Sequence, residues 1–486
     1  MANPSAKSSS QEHPLEFIFH PRALAVVGAS SDPEGQGNMF VAGPKRMGFK
    51  GPIYPINPKA SEIQGLKAYP SILDVPGVLD YVISSIPAAA VPNLLRQCGQ
   101  KGVGFVHLFT AGFRETGDSA RTDLEQHILR VAREEGIRLL GPNCMGLYYP
   151  QGGLSFSLFF SRTSGNVAML SQSGTNASEM VGLGASRGLH FSKVVSFGNA
   201  LDINESDILE NFVADPNTDF IGAYIEGPAD GRRFFATLRE ATKHKPVVIL
   251  KGGRTQAGTR AISSHTGSLA GPSVLWDTLC RQTGAIRVFG MEEMVDVMMT
   301  LASGVRLRGN RVAILGGGGG ASVLAADDCA AQDLQVPSFS KALQEELRPL
   351  VHEAGTSVRN PVDAGALIRS TEMQKATTTI GKTGEVDVCF LHMSSGMGSG
   401  PGGGGGGEES VEEAVKGLVD ATRAAGVPFF IVLRNEGGRR GGVEKMQQFA
   451  FACARAGLPV FPSMTRAASA LQKVLQYQTW RADAAG

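Results

Sequence analysis

With 486 residues the chain exceeds one ordinary domain, and at about 100–200 residues per domain it divides into about three. Hydrophobic residues make up 42% and mean hydropathy is −0.03, so buried cores are expected and a wholly disordered chain is excluded. Lys and Arg total 46 against 45 Asp and Glu, a formal net charge of +1, which offers no basic footprint for nucleic acid or an anionic membrane.

The N-terminus has no apolar core of the kind a secretory signal needs, and residues 1–14 are expected to be disordered. No stretch approaches about 18 consecutive apolar residues, so no membrane span is predicted. Six cysteines (Cys98, Cys144, Cys280, Cys329, Cys389 and Cys453) form no CxxC pair and have no neighbouring His cluster. They read as reduced thiols of a cytoplasmic protein with no metal site of its own.

Short β-branched runs alternate with amphipathic Ala/Leu/Glu-rich segments, the pattern of βα units around buried parallel strands. The first group of predicted strands is 23–28, 53–57, 81–86, 104–109 and 138–141. A second is 165–171, 193–197, 220–226, 246–251 and 286–289, and a third is 311–315, 386–393, 429–433 and 459–462. The fold class is therefore α/β: an N-terminal Rossmann-type domain over 15–150, then two flavodoxin-like doubly wound domains over 160–301 and 310–480. Segments 151–164 and 302–310 read as connectors. The run GMGSGPGGGGGG at 396–407 holds six consecutive glycines and reads as a mobile insertion.

In the first domain a strand runs into Gly28-Ala29-Ser30-Ser31, where an open α/β sheet places phosphate at the next helix. The following glycines are Gly35 and Gly37, so the turn is not GxGxxG. The second strand ends at Asn57-Pro58-Lys59, where an NAD site would carry an acid. A lysine there suits a ribose bearing a phosphate, which permits coenzyme A or an NADP-like ligand.

In the second domain, Ser171-Gln172-Ser173-Gly174-Thr175 ends a strand and starts a helix, offering backbone N–H groups and the positive end of a dipole to an anion. Further on, Ser264-His265-Thr266-Gly267 sets an imidazole among small residues and hydroxyls, and Glu226 ends a strand. A carboxylate bonded to one ring nitrogen fixes the other as the nucleophile, and nearby N–H groups hold a transferred phosphoryl group.

Several stretches together resemble the α subunit of NDP-forming (ADP-forming) acyl-CoA synthetases, in the succinyl-CoA synthetase superfamily. They include VVGASSDP at 26–33, YPINPKA at 54–60, GPNCMG at 141–146, LSQSGTNASEM at 170–180, YIEGPADGRRF at 224–234 and KGGRTQAGTRAISSHTGSLAG at 251–271. NPVDAGA at 360–366 extends the likeness into the third domain, so that it covers about residues 15–480. The resemblance implies that the first domain binds CoA through Gly28, Ser30, Ser31, Asn57 and Lys59. It implies a phosphohistidine at His265 oriented by Glu226, a phosphate cradle from Ser173, Gly174, Thr175, Ser264 and Gly267, and Asn143 facing the acyl and thioester chemistry. The implied reaction interconverts acyl-CoA, phosphate and NDP with carboxylic acid, CoA and NTP. Its ADP or GDP and Mg2+ are expected on a separate ATP-grasp β subunit, in a hetero-oligomer. The glycine run falls outside the family pattern. Two other readings compete: a CoA or acyl-CoA sensor on the same fold without turnover, and an NADP-dependent oxidoreductase, which leaves two domains unexplained.

Overall fold

The computed structural model describes residues 13–263, 272–316, 318–351, 357–363, 370–394, 411–434 and 442–485. Most of the expected disordered N-terminus and the whole glycine run lie outside them. The chain divides into two compact units, residues 1–182 with 190–288, and residues 183–189 with 289–486.

The first unit begins with a 3-10 turn (Glu16–Phe19) and then builds its first sheet. In order come β1 (Leu24–Val27), α1 (Gln36–Met47), β2 (Ile53–Ile56), a small hairpin of β3 (Glu62–Ile63) and β4 (Leu66–Lys67), β5 (Tyr81–Ser84) and α2 (Val91–Lys101). They continue through β6 (Phe105–Leu108), α3 (Ser119–Glu134) and β7 (Arg138–Leu140). The strands lie parallel in the order β2-β1-β5-β6-β7. Every residue of β1, β5 and β6 is buried, because helices cover both faces of a parallel sheet.

The second sheet draws on β8 (Gly146–Tyr148), β9 (Val167–Ser171), β10 (Phe191–Ser196), β11 (Phe220–Ile225), β12 (Val247–Lys251) and β13 (Ile286–Val288). Between them run α4 (Gly174–Ser186), α5 (Glu205–Ala214), α6 (Gly231–His244), α7 (Gln256–Ser263) and α8 (Ser273–Thr283). The order is β13-β12-β11-β9-β10-β8, with only β8 antiparallel. Helix α5 starts where it does because Asn204 and Asp207 form a reciprocal capping box that satisfies both terminal N–H groups.

The second unit holds α9 (Met291–Ala302), β14 (Val312–Gly316), α10 (Gly319–Ala330), α11 (Lys341–Leu347), β15 (Val362–Asp363) and α12 (Ser370–Lys382). It ends with β16 (Val388–Ser394), α13 (Val411–Ala425), β17 (Phe429–Arg434), α14 (Gly442–Arg455), β18 (Val460–Phe461) and α15 (Met464–Ala485). Its parallel sheet runs β15-β14-β16-β17-β18.

Numbered along each domain, the parallel strands of all three sheets stand in the order 2-1-3-4-5, a common doubly wound arrangement. The first domain thus combines a Rossmann-type glycine turn with a flavodoxin-like order. The fourteen strands expected from the sequence are all present, with ends shifted by at most two residues. Strands β3, β4, β8 and β15 are additions. The six cysteines are buried, and none of them forms a disulfide among the described residues.

One buried charge anchors the 3-10 turn to the second sheet. Lys193 on β10 is 1% exposed; its ammonium donates to both oxygens of Glu16 at 2.7 and 2.8 Å and lies 3.3 Å from Asp215. The Phe19 ring faces it at 4.5 Å, and Asn211 donates to Glu16 at 2.9 Å. Burial pushes Glu16 and Asp215 up, but the hydrogen bonds and the Lys193 charge outweigh it and hold both below their ordinary values. Removing one partner from such a cluster strands the others in a low dielectric. Lys193→Met is therefore expected to cost about 3–5 kcal/mol, read as an earlier first transition in urea at pH 7. An unchanged midpoint would show the cluster to be energetically neutral.

Candidate functional site

In sheets of this order, ligands sit at the carboxyl ends of the strands, where neighbouring strands send their chains to opposite faces. In the first sheet that point lies between β1 and β5. Gly28 follows β1 with φ +87°, and a Cβ there would collide with the Ser85 carbonyl that follows β5. Helix α1 begins after Gly35, with no side chain capping it. A Cβ on Gly37 would strike the Gly28 carbonyl. The spacing Gly28, Gly35, Gly37 thus brings the helix onto the strand closely, as the glycines of GxGxxG do in a shorter turn. Asn57 donates to the Ala29 carbonyl at 2.8 Å and accepts from the Lys59 N–H at 2.8 Å, locking the two strand ends together. Ser30 accepts from the Asp32 N–H at 3.1 Å, while its carbonyl takes the Asn38 amide at 3.0 Å. Gly28, Ser30, Ser31, Asn57 and Lys59 therefore share one rim, with Ser31 and Lys59 exposed.

In the second sheet the equivalent point lies between β9 and β11. Ser173 caps α4, its Oγ accepting from the Asn176 N–H at 3.3 Å while its own N–H donates to Ser171 at 3.2 Å. Gly174 and Thr175 form the first turn of that helix. Gln172 spans the cleft: its Oε1 accepts from the N–H groups of Glu226 and Gly227, the latter at 3.0 Å, and its Nε2 donates to the Gly227 carbonyl at 3.0 Å. This one buried amide fixes where Glu226 leaves β11 relative to the mouth of α4, a role its sequence context does not announce. Tyr224 donates to Glu226 at 3.2 Å, and burial together with that carboxylate pushes the phenol up. Gly252, after β12, leaves room for the pair, since a Cβ there would lie 2.5 Å from the Tyr224 hydroxyl and 3.2 Å from Glu226 Cγ. Beside it Lys251 is 1% exposed, and burial lowers its ammonium to about 8, with Glu226 opposing the shift. His265, Ser264 and Gly267 lie outside the described residues, which bracket them with α7 and α8.

Asn143 connects the two sites. It follows β7 with φ +58°, and its N–H donates to the Thr110 carbonyl at 3.0 Å. Residues 198–201 pack onto this turn: Asn199 N–H donates to the Pro142 carbonyl and Leu201 N–H to the Gly141 carbonyl, both at 2.9 Å. Gly198 packs so tightly on the Asn143 carbonyl that a Cβ would not fit, and Gly174 packs in the same way on Met145. The start of α4 and the Asn143 turn are thus neighbours. Behind them, Asn199 donates to Glu115 at 2.8 Å and to the fully buried Glu125 at 3.2 Å.

Residues 22–150 match the CoA binding domain family, and residues 164–301 match the succinyl-CoA ligase like flavodoxin domain. The α subunit of acetate–CoA ligase (ADP-forming) II from Pyrococcus furiosus is 36% identical over 388 residues, covering 79% of this chain and 84% of that one. The α subunit of enzyme I from the same organism is 31% identical, covering 96% and 98%. Acetate–CoA ligase (ADP-forming) from Methanocaldococcus jannaschii is 37% identical over 73% of this chain, but the match spans 49% of that longer protein. Among solved structures, the dinucleotide-forming acetyl-coenzyme A synthetase 1 of Ca. Korarchaeum cryptofilum, in complex with phosphate and ADP, superposes with a TM-score of 0.82. It is 32% identical and covers 96% of this chain and 97% of that one.

The Asn143 turn rests on His107, which is fully buried in β6 and lowered by that burial from 6.5 to about 4. Between those values the unfolded chain binds a proton that the folded chain refuses. Stability from this group is complete above pH 6.5 and is lost as pH falls toward 4, by about 3 kcal/mol in all. His107→Gln removes the titration. The difference in melting temperature between wild type and variant should therefore narrow from pH 7 to pH 4.5; a constant difference would refute the assignment.

Proposed function

This chain belongs to the family of ADP-forming acyl-CoA synthetases, acid–thiol ligases, in the branch of their α subunits, and we propose that it relays a phosphoryl group through His265. A phosphate oxygen attacks the thioester carbonyl of acyl-CoA; the C–S bond breaks, CoA leaves as its thiol and an acyl phosphate forms. The His265 imidazole then attacks phosphorus, and the P–O bond to the carboxylate breaks to release the acid. Finally a nucleoside diphosphate oxygen takes the phosphoryl group from nitrogen. Each step is reversible.

The observation that carries this reading is the convergence of the capped mouth of α4 with Glu226 and the Asn143 turn. A helix start presents N–H groups and positive potential to a phosphate. Glu226, set by Gln172 and steadied by Tyr224, is the carboxylate for one imidazole nitrogen, leaving the other to attack. Asn143, with Met145 against Gly174, keeps the thioester end of CoA close to that mouth. Ser264 and Gly267 would complete the phosphate cradle. On the first domain, the uncapped start of α1 and the Gly28 turn accommodate the CoA nucleotide, with Lys59 at its ribose phosphate.

The nucleotide and its Mg2+ belong in this proposal to an ATP-grasp partner in a hetero-oligomer. The near-complete match to an α subunit, set beside the half-length match to a longer relative named without a subunit, supports a second polypeptide. The relatives' names specify ADP, which makes ADP the first diphosphate to test.

The test incubates the full chain with an acyl-CoA panel and labelled phosphate. Acid-labile, base-stable label is expected on wild type and absent from His265→Asn, while Glu226→Gln should label at least 10-fold more slowly with CoA affinity retained. Tight CoA binding without label, even with the partner present, would leave the sensor reading. Separately, Lys59→Ala should weaken CoA more than dephospho-CoA, and equal losses would remove Lys59 from the ribose phosphate.

A further inference from the structure

Within the Asn143 turn, the side chain of Asn143 is held only as well as its backbone, and the backbone is fixed from two sides. Thr110, just past β6, takes the Asn143 N–H at 3.0 Å, and is itself tied by its hydroxyl to the Ile86 carbonyl at 2.9 Å. On the other side stands His107. Its Nε2 lies 3.0 Å from the Cys144 carbonyl, and its Nδ1 lies 3.3 Å from the Tyr81 hydroxyl. The ring is boxed in by Phe40, edge-on at 5.5 Å, and by Gly146, where a Cβ would come within 2.6 Å of Nδ1.

These contacts leave one hydrogen arrangement. A carbonyl only accepts, so Nε2 carries the ring hydrogen and donates it to Cys144. Nδ1 then has a lone pair, which takes the Tyr81 O–H. The opposite tautomer would set two lone pairs against each other in a fully buried site, at the cost of an unsatisfied acceptor. Tyr81, His107 and the Cys144 carbonyl thus form a directed chain running from β5 through β6 to the residue after Asn143.

We propose that His107 is a positioning residue for the thioester step: through the Cys144 carbonyl it sets the direction in which Asn143 meets the acyl group. This rests on the role given to Asn143 above. Displacing a positioning group by about 1 Å is enough to cost about 100-fold in rate. The chain's hydrogen bonds go to Tyr81 and Cys144, whereas the start of α4 packs on Met145, so its loss should slow attack on the thioester and spare phosphoryl transfer to His265.

The experiment compares two phosphoryl sources on the full-length chain: acetyl-CoA with labelled phosphate, which needs the thioester step, and labelled acetyl phosphate, which bypasses it. His107→Phe is expected to lower the rate constant of labelling from acetyl-CoA by about 10- to 100-fold, while labelling from acetyl phosphate and CoA affinity stay within about 2-fold. His107→Gln, whose amide can still donate to Cys144, should recover most of the loss. Tyr81→Phe, which removes one hydroxyl, should show a smaller loss confined to the same step, and it remains informative if His107→Phe does not fold. Equal losses from both sources, or no loss from either, would overturn the positioning role while leaving the phosphohistidine reading intact. No label on wild type from either source would overturn both.

Discussion

A parallel sheet opens a cleft only where neighbouring strands send their chains to opposite faces, and the candidate site residues at the ends of β1, β2, β9 and β11 gather at that reversal. In the first sheet the cleft falls between Gly28 and Ser85, in the second between Ser171 and Glu226. A cleft of this kind has backbone for walls. Its usefulness therefore depends on how closely the chain can approach itself, which is why Gly28, Gly37, Gly174 and Gly252 sit where any Cβ would strike a carbonyl or a neighbouring side chain. The helix that follows can then offer its first N–H groups to an anion.

The two clefts are coupled by packing. The turn at 141–146 leaves the first sheet and delivers β8 to the edge of the second, so one short segment belongs to both. Residues 198–201 hydrogen-bond back onto that turn through their N–H groups. The reaction proposed above, from a thioester to a histidine, would need its two centres held at a constant separation, and interlocked backbone maintains this better than side-chain contacts alone.

Much of this was legible in the chain itself. Buried parallel strands announce themselves as β-branched runs, so the sheets and their glycine-ended first strands stand out, as do Ser173, Asn57 and Lys59 from their positions at strand ends. The β3–β4 hairpin and β15 are two residues per strand, too short to carry a period. β8 is an edge strand whose partner, β10, lies some fifty residues on. Gln172, His107 and Lys193 were hidden for a different reason. His107 and Lys193 are polar residues within buried strands, Gln172 sits in a polar turn, and the partners of all three (Cys144, Glu16 and Gly227) come from distant segments that only folding brings within reach.

The Lys193 cluster also has a history. Glu16 and Lys193 are separated by 177 residues, which a ribosome adding about 5–20 residues per second takes roughly 10–35 s to make. Throughout that interval the 3-10 turn has no ammonium to dock against, and Phe19 has no cation to cover. The 3-10 turn therefore cannot complete its contacts until a strand translated long after it has been made.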